Sequence, residues 1–253
     1  MCGIVALIGS REAAPQLLEG LRQLEYRGYD SAGIATVELP EGIAEGGTGR
    51  LHCLRAEGKL VNLSQRFEER GAPGHCGIGH TRWATHGKPE ERNAHPHLDG
   101  SGQLAVVQNG IIENHRILRE ELQAAGVTFL SDTDTEVIPH LVARQLRHLQ
   151  AEDVQPDAAL LLRAVQDVLP LLHGAYALAV VWAEVPGALV VARRQAPLLI
   201  GLGEGEFLCA SDTPALAGFT RTILPLEDGE VALLTPLRAA PAPSIACGPK
   251  ASW

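Results

Sequence analysis

An α+β fold, stacked β-sheets with helices on the outside, is what this sequence predicts. Short apolar runs at residues 4–8 and 104–108 have the pattern of strands buried on both faces. Between them lie stretches with apolar residues at helical spacing, such as Leu17, Leu18, Leu21 and Leu24. From residue 175 onward the chain turns β-rich, with Pro186-Gly187, Gly203 and Gly205 as hairpin punctuation.

In chain order, a strand over 4–8 precedes a helix over 13–24, and a strand over 34–39 follows the loop Tyr26-Arg27-Gly28-Tyr29-Asp30-Ser31. Residues 40–49, rich in Gly and Glu, read as an exposed turn. Strands over 51–55 and 76–80 flank an amphipathic helix over 60–70. The strand over 104–108 stops at Asn109-Gly110, the commonest tight-turn dipeptide, and a helix over 113–125 comes next. Thr133-x-x-Glu136 has the spacing of a capping box opening a helix through 149, and a further helix spans 157–169. Strands over 175–183, 189–193, 198–202, 206–210 and 230–234 form successive hairpins. The tail over 236–253, with Pro241, Pro243 and Pro249, reads as linker or disordered.

Composition narrows the function classes. The 253 residues carry 30 acidic against 21 basic side chains, a net charge of -9, with no basic stripe, which argues against a nucleic-acid partner. The longest wholly apolar run, over 175–183, is far shorter than the ~20 residues of a membrane-spanning helix. Cys2, Cys53, Cys76, Cys209 and Cys247 are odd in number and contain no C-x-x-C pair, so they suit a reducing compartment with free thiols. The start lacks a basic stretch and does not read as a signal peptide. The expectation is a soluble cytoplasmic protein acting on a small molecule.

Several residues could carry chemistry. With Met1 removed, Cys2 would hold a thiol and a free α-amine on one residue, nucleophile and proton acceptor together. A Cys at this position is equally a small apolar side chain opening a core strand. Asn109 and Gly110, a side-chain amide beside an unobstructed backbone N–H, could form an oxyanion hole. In His80-Thr81-Arg82-Trp83-Ala84-Thr85-His86-Gly87, Arg82 can fork onto a carboxylate, Thr85 can add a hydroxyl and Trp83 can cover a site. His86, His95 and His97 suggest a metal, but His95-Pro96-His97 should hold its imidazoles apart, so no metal site is expected. Asp132, Asp134 and Glu136 crowd a helix start, where they cap it or meet a substrate ammonium.

Together these residues resemble the class II glutamine amidotransferases, and most closely the glutaminase domain of the glutamine–fructose-6-phosphate aminotransferase (glucosamine-6-phosphate synthase) family. The matching motifs are Cys2-Gly3-Ile4-Val5, Tyr26-Arg27-Gly28-Tyr29-Asp30-Ser31-Ala32-Gly33, the His80 to Gly87 segment and Asn93-Ala94-His95-Pro96-His97. To these are added Asn109-Gly110-Ile111-Ile112-Glu113-Asn114-His115 and Ser131-Asp132-Thr133-Asp134-Thr135-Glu136. The resemblance implies a four-layer αββα sandwich of the N-terminal-nucleophile hydrolase type over residues 1–235. It implies L-glutamine as substrate, no cofactor, and a γ-glutamyl thioester on Cys2. Asn109 and Gly110 match the oxyanion pair, and Arg27 the arginine beside the nucleophile. Arg82 matches the carboxylate clamp, with Thr85 and His86 beside it, Asp134 the ammonium acceptor and Trp83 the covering loop.

Two positions depart from the pattern, Ala6 where Gly is usual and Gln108 where relatives carry His. The sugar-phosphate isomerase region that follows in the family is expected to be absent here, and a homodimer is compatible with the resemblance. Glutaminase domains of amidophosphoribosyltransferase or asparagine synthetase share the Cys-Gly start and the Asn-Gly pair. A non-catalytic glutamine-sensing module is the alternative from a different class.

Overall fold

Strand alternation sorts the side chains of this chain into layers. The computed structural model describes residues 2–40, 42, 47–84, 87–151, 155–236 and 245–247. Its elements run β1 (Gly3–Ile8), α1 (Ala13–Gln23), β2 (Ser31–Glu38), β3 (Arg50–Glu57), α2 (Leu60–Arg70), β4 (Cys76–Arg82), β5 (His97–Leu98) and β6 (Leu104–Ile112). Helices α3 (His115–Ala124), α4 (Val137–Gln150) and α5 (Ala158–Val168) follow. The chain continues through β7 (Gly174–Trp182), β8 (Leu189–Arg194), β9 (Leu199–Leu202), β10 (Phe207–Ala210), α6 (Pro214–Ala217), β11 (Ile223–Pro225), β12 (Val231–Leu234) and β13 (Ile245–Cys247).

The strands pair into a seven-stranded sheet, ordered β11-β9-β10-β1-β4-β2-β3, and a six-stranded sheet, ordered β13-β12-β8-β7-β6-β5. Neighbours run antiparallel, with β1 in the middle of the first sheet between β10 and β4. Three apolar clusters follow from the period-2 alternation. Ile4, Ala6 and Ile8 of β1 join Cys76 and Ile78 of β4, Ala105 and Val107 of β6 and Ala177 and Ala179 of β7 in one cluster between the sheets. The opposite faces of β1 and β2, through Val5, Leu7 and Ile34, pack on Leu17 and Leu21 of α1 and Leu63 of α2. Val106, Leu178 and Val180, on the outer face of the second sheet, pack on Leu141 of α4 and Leu161 of α5. Helices, sheet, sheet, helices is therefore the layer order, the αββα sandwich.

Local chemistry explains two of the helix ends. Helix α2 spans the predicted residues and stops at Gly71, whose φ of +67° favours glycine. Helix α5 starts where the Asp157 side chain accepts from the Leu160 N–H at 2.7 Å.

Other expectations are corrected. Strand β6 does not stop at Asn109-Gly110 but runs through the pair to Ile112, matched residue for residue by β7. Gly110 sits at φ +111°, and a Cβ there would lie 2.0 Å from the Ala175 carbonyl oxygen, so the glycine serves a close strand approach rather than a turn. The capping box does not form. Helix α4 opens after Glu136 without a side-chain cap, and the Glu136 carboxylate instead accepts from the N–H groups of Leu130 and Ser131, each at 2.7 Å. The Thr133 hydroxyl is engaged with Ser131 Oγ and His97 Nε2.

The later strands are not one run of successive hairpins either. The chain leaves β8 in the second sheet, builds β9 and β10 into the first, and returns to pair β12 with β8. Within the tail read as linker, β13 pairs with β12.

Candidate active site

Cys2 lies immediately before β1, and extending the alternation places its side chain between the sheets with Ile4 and Ala6. On β4 the same face carries Cys76, Ile78, His80 and Arg82; on β6 it carries Ala105, Val107 and Asn109. The register Gly3↔Thr81 brings β4 alongside the first residues of the chain. The inter-sheet layer is therefore apolar along most of its length and polar at one end, where Cys2, His80, Arg82 and Asn109 meet.

The hydrogen bonds there are specific. Asn109 Nδ2 donates to the Cys2 carbonyl oxygen at 3.2 Å, while Asn109 Oδ1 lies 3.0 Å from His80 Nε2. Arg27 Nε donates to the same Cys2 oxygen at 3.1 Å, so the backbone just before β1 is held by β6 on one side and by the turn after α1 on the other. The Trp83 N–H donates to Cys2 Sγ at 3.3 Å. Burial pushes the Cys2 thiol above its ordinary range, opposed by the Trp83 N–H and the Arg82 charge. The raised value keeps the sulfur a thiol at neutral pH.

A cleft is lined by Cys2, Arg82, Trp83, His95, Gln108, Gly110, Thr133, Asp134 and Thr135. Arg82 is only 3% exposed and donates through Nη2 to the Gly87 carbonyl at 3.1 Å and through Nη1 to Lys88 at 3.3 Å. Asp134 is not part of a cap. Its Oδ2 accepts from the Ile112 N–H at 2.7 Å, which fixes one carboxylate oxygen at the cleft wall beside the end of β6. Trp83 is half-exposed at the rim, edge-on to Tyr29 with ring centroids 5.6 Å apart.

The cleft thus gathers Cys2, Gly110, Arg82, Trp83 and Asp134, with Asn109 and Arg27 holding the Cys2 backbone. Thr85 and His86, both named from the sequence, lie outside the described residues. Asp132 is elsewhere, exposed and paired with Arg92.

Sequence reasoning missed three residues. Asp30 sits inside a quoted motif, and its Oδ2 accepts from the Ala84 N–H, tying down the Trp83 loop. Asp212, after β10, pairs with Arg27 and accepts from the Tyr26 hydroxyl at 2.7 Å. No local signal marks Asp212, because 185 residues separate it from Arg27. His80 could have been found from alternation alone, two residues after Ile78 on the same face.

The expectation about the imidazoles is overturned. His80 and His95 stack with centroids 4.1 Å apart, and His95 meets His97 edge-on at 4.7 Å. His95 and His97, at the start of β5, lie against His80 on β4, so the fold closes three rings into one pocket whatever their sequence spacing. Burial pushes His80 down to about 3 and His95 well below its ordinary value, and it takes His97 down to about 3 despite the Glu136 carboxylate. All of these rings are neutral at pH 7. Among the described residues no group of His, Cys, Asp or Glu side chains is placed to hold a metal ion.

The sandwich and its cysteine-opened central strand define the class, and the chain belongs to the glutamine amidotransferase family: the family model for the glutamine amidotransferase domain matches residues 80–218. Its similarity to particular proteins is high. It is 58% identical over 236 residues to the glutamine–fructose-6-phosphate aminotransferase [isomerizing] of Thermosynechococcus vestitus, covering 93% of this chain and 35% of that protein. The Nostoc protein of the same name is 57% identical over 237 residues, covering 94% and 36%. The chain therefore spans about a third of the length of these relatives.

Among solved structures, the glutamine phosphoribosylpyrophosphate amidotransferase from B. subtilis, complexed with ADP and GMP, superposes with TM-score 0.74 at 28% identity, covering 92% of this chain and 47% of that one. A glutamine aminotransferase class-II domain protein from Silicibacter pomeroyi shares the fold alone, at 14% identity and TM-score 0.52, over 96% and 100% of the two chains. No helix among the described residues is long and apolar enough to cross a membrane.

Proposed function

We propose that this chain hydrolyses L-glutamine to glutamate and ammonia through Cys2, as the ammonia-supplying part of amino transfer to fructose 6-phosphate. With Met1 removed, the Cys2 α-amine takes the thiol proton, and the thiolate attacks the γ-carboxamide carbon. The oxyanion that forms meets Asn109 Nδ2 and the Gly110 N–H, donors already in place before reaction. The ammonium of Cys2 returns the proton to the leaving amine, ammonia departs, and water then hydrolyses the γ-glutamyl thioester. Arg82 clamps the substrate carboxylate through its planar pair of donors, and Asp134 meets the substrate ammonium. Thr85 and His86 assist the clamp, Trp83 covers the bound amino acid, and Arg27 holds the Cys2 backbone.

The observation that carries this reading is the meeting of Cys2 Sγ, Arg82 and Asp134 around one cleft, with Asn109 bonded to the Cys2 carbonyl. Sequence identity above 50% to aminotransferases acting on fructose 6-phosphate, against 28% to the phosphoribosylpyrophosphate enzyme, supports the amino-sugar branch. A sugar-phosphate isomerase region as functional partner, a cytoplasmic location and a homodimer belong to the same proposal.

The test is glutamate release from L-glutamine by the purified chain. The parent should turn over, and Cys2→Ala, which removes one sulfur and keeps the amine, should fall to background with an unchanged melting curve. Glutamate release by Cys2→Ala at the parent rate would end this assignment.

A further inference from the structure

The most concentrated group of buried titratable side chains without a role in this mechanism is the imidazole stack of His80, His95 and His97. Its first ring touches the reaction machinery, because His80 Nε2 lies 3.0 Å from Asn109 Oδ1. The contact crosses from one sheet to the other, since β4 and β6 belong to different sheets.

Hydrogen-bond logic fixes both groups. The Cys2 backbone carbonyl can only accept, so Asn109 must present Nδ2 to it. Asn109 Oδ1 then faces His80, and an acceptor there requires the hydrogen on Nε2. His80 is fully buried and neutral; with the hydrogen on Nε2, Nδ1 carries none and has no hydrogen-bond partner among the described residues, and the Gln108 backbone is the other polar group at the ring. The two ends of an asparagine carboxamide are nearly equal in shape, and its terminal torsion is broad and roughly two-fold. Reversed, Asn109 would turn its oxygen toward the Cys2 carbonyl and withdraw its N–H groups. Held as it is, one N–H rests on the Cys2 carbonyl and the second is left to meet a developing oxyanion.

We propose that His80 is a positioning residue for glutamine hydrolysis: its Nε2–H holds the Asn109 carboxamide in the orientation that presents Nδ2 at the Cys2 end of the cleft. His95, stacked at 4.1 Å and 25° between planes, fixes the plane of the His80 ring. The inference rests on Asn109 being the oxyanion donor. His95 and His97, two of the three histidines that suggested a metal, belong in this account to a neutral brace behind the oxyanion hole.

The experiment is steady-state glutaminase kinetics of the purified chain, with a melting curve for every variant. Losing an oxyanion donor costs roughly 10²–10³ in kcat, and losing only its orientation costs less. His80→Leu should therefore lower kcat about 10- to 100-fold while KM for glutamine stays within about twofold. His80→Gln keeps an amide N–H near the Nε2 position and should restore kcat to within about threefold of the parent. His80→Asn, one bond too short to reach Asn109, should behave like the Leu variant and replaces it if that variant does not fold. Combined with Asn109→Ala, His80→Leu should add no further loss, because the group it orients is gone.

A parental kcat in both His80→Leu and His80→Asn, with Asn109→Ala impaired, would overturn the role of His80 alone. So would a His80→Gln variant as slow as His80→Asn, or losses that multiply in the double variant. A parental kcat in Asn109→Ala would instead overturn the oxyanion assignment, and the His80 proposal with it.

Discussion

The two ends of the inter-sheet layer are built from the same strands on the same face, yet they differ in every chemical respect. At one end Ala6, Ile8, Cys76, Ile78, Ala105 and Val107 make an apolar contact between the sheets. At the other, the next residues in the same alternating series are Cys2, His80, Arg82 and Asn109. Burial is as complete for His80 and Arg82 as for the apolar residues, at 0% and 3% exposure. Buried polar groups are costly unless they are paired, and the polar end is paired through backbone carbonyls and a side-chain amide. The pattern of alternation decides where a side chain points. The change from apolar to polar along one face marks where the chain stops building a core and starts building a site.

That difference predicts opposite responses to acid. The apolar end carries no group that titrates between pH 3 and 7. At the polar end, His80 and His97 are pushed down to about 3, and His95 is also held well below its ordinary value. Their unfolded-state values are near ~6.5. Between these limits the unfolded chain binds more protons, so stability is fully present above about pH 6.5 and is lost as pH falls toward about 3. Each ring contributes a slope of ~1.4 kcal/mol per pH unit, roughly 4 kcal/mol for the three together. Glu136 adds to the loss further down. Burial opposes its charge, but the His140 contact and the Leu130 and Ser131 donors outweigh it and hold the carboxyl down to about 2. That contribution disappears as pH falls from about 4.3. Denaturant unfolding at pH 7.5, 6 and 5 measures the slope, and a flat profile over that range would show that the imidazoles are not buried neutral.

The clamp is the next largest expectation. An ammonium cannot reproduce the planar two-donor contact of a guanidinium, so Arg82→Lys should lower kcat/KM for glutamine. Asp134→Asn keeps an oxygen for the Ile112 N–H but removes the charge proposed to meet the substrate ammonium. Truncating a desolvated charge pair costs ~2–5 kcal/mol, about one and a half to four decades in kcat/KM. Kinetics of either variant within twofold of the parent would separate the polar end from substrate binding.

Much of this was legible in the residues. Buried runs, helical spacing and hairpin punctuation placed most elements, and the family motifs brought Cys2, Arg82, Asn109, Gly110 and Asp134 into one assembly. The misreadings share a physical cause. Asn109-Gly110 and Thr133-x-x-Glu136 carry strong local signals, for a turn and for a cap, that tertiary partners override. Strand β7 continues alongside Gly110, and the loop at Leu130 and Ser131 claims the Glu136 carboxylate. His95 and His97 were judged by sequence distance, whereas a third ring from β4 closes their pocket. Asp212 has no local signature, because its partner Arg27 comes from the far end of the chain.

The central claim is that the polar end of the inter-sheet layer is a glutamine-hydrolysing site with Cys2 as its nucleophile. Peptide mapping after treatment with an electrophilic glutamine analogue tests it most directly. All the other cysteines are competitors for the reagent, and burial raises the thiols of Cys53, Cys76 and Cys209 to about 11 or beyond. The account predicts stoichiometric label on Cys2, slowed by excess L-glutamine, and none on Cys53, Cys76, Cys209 or Cys247. Label on another cysteine, with Cys2 unmodified and activity lost, would contradict it.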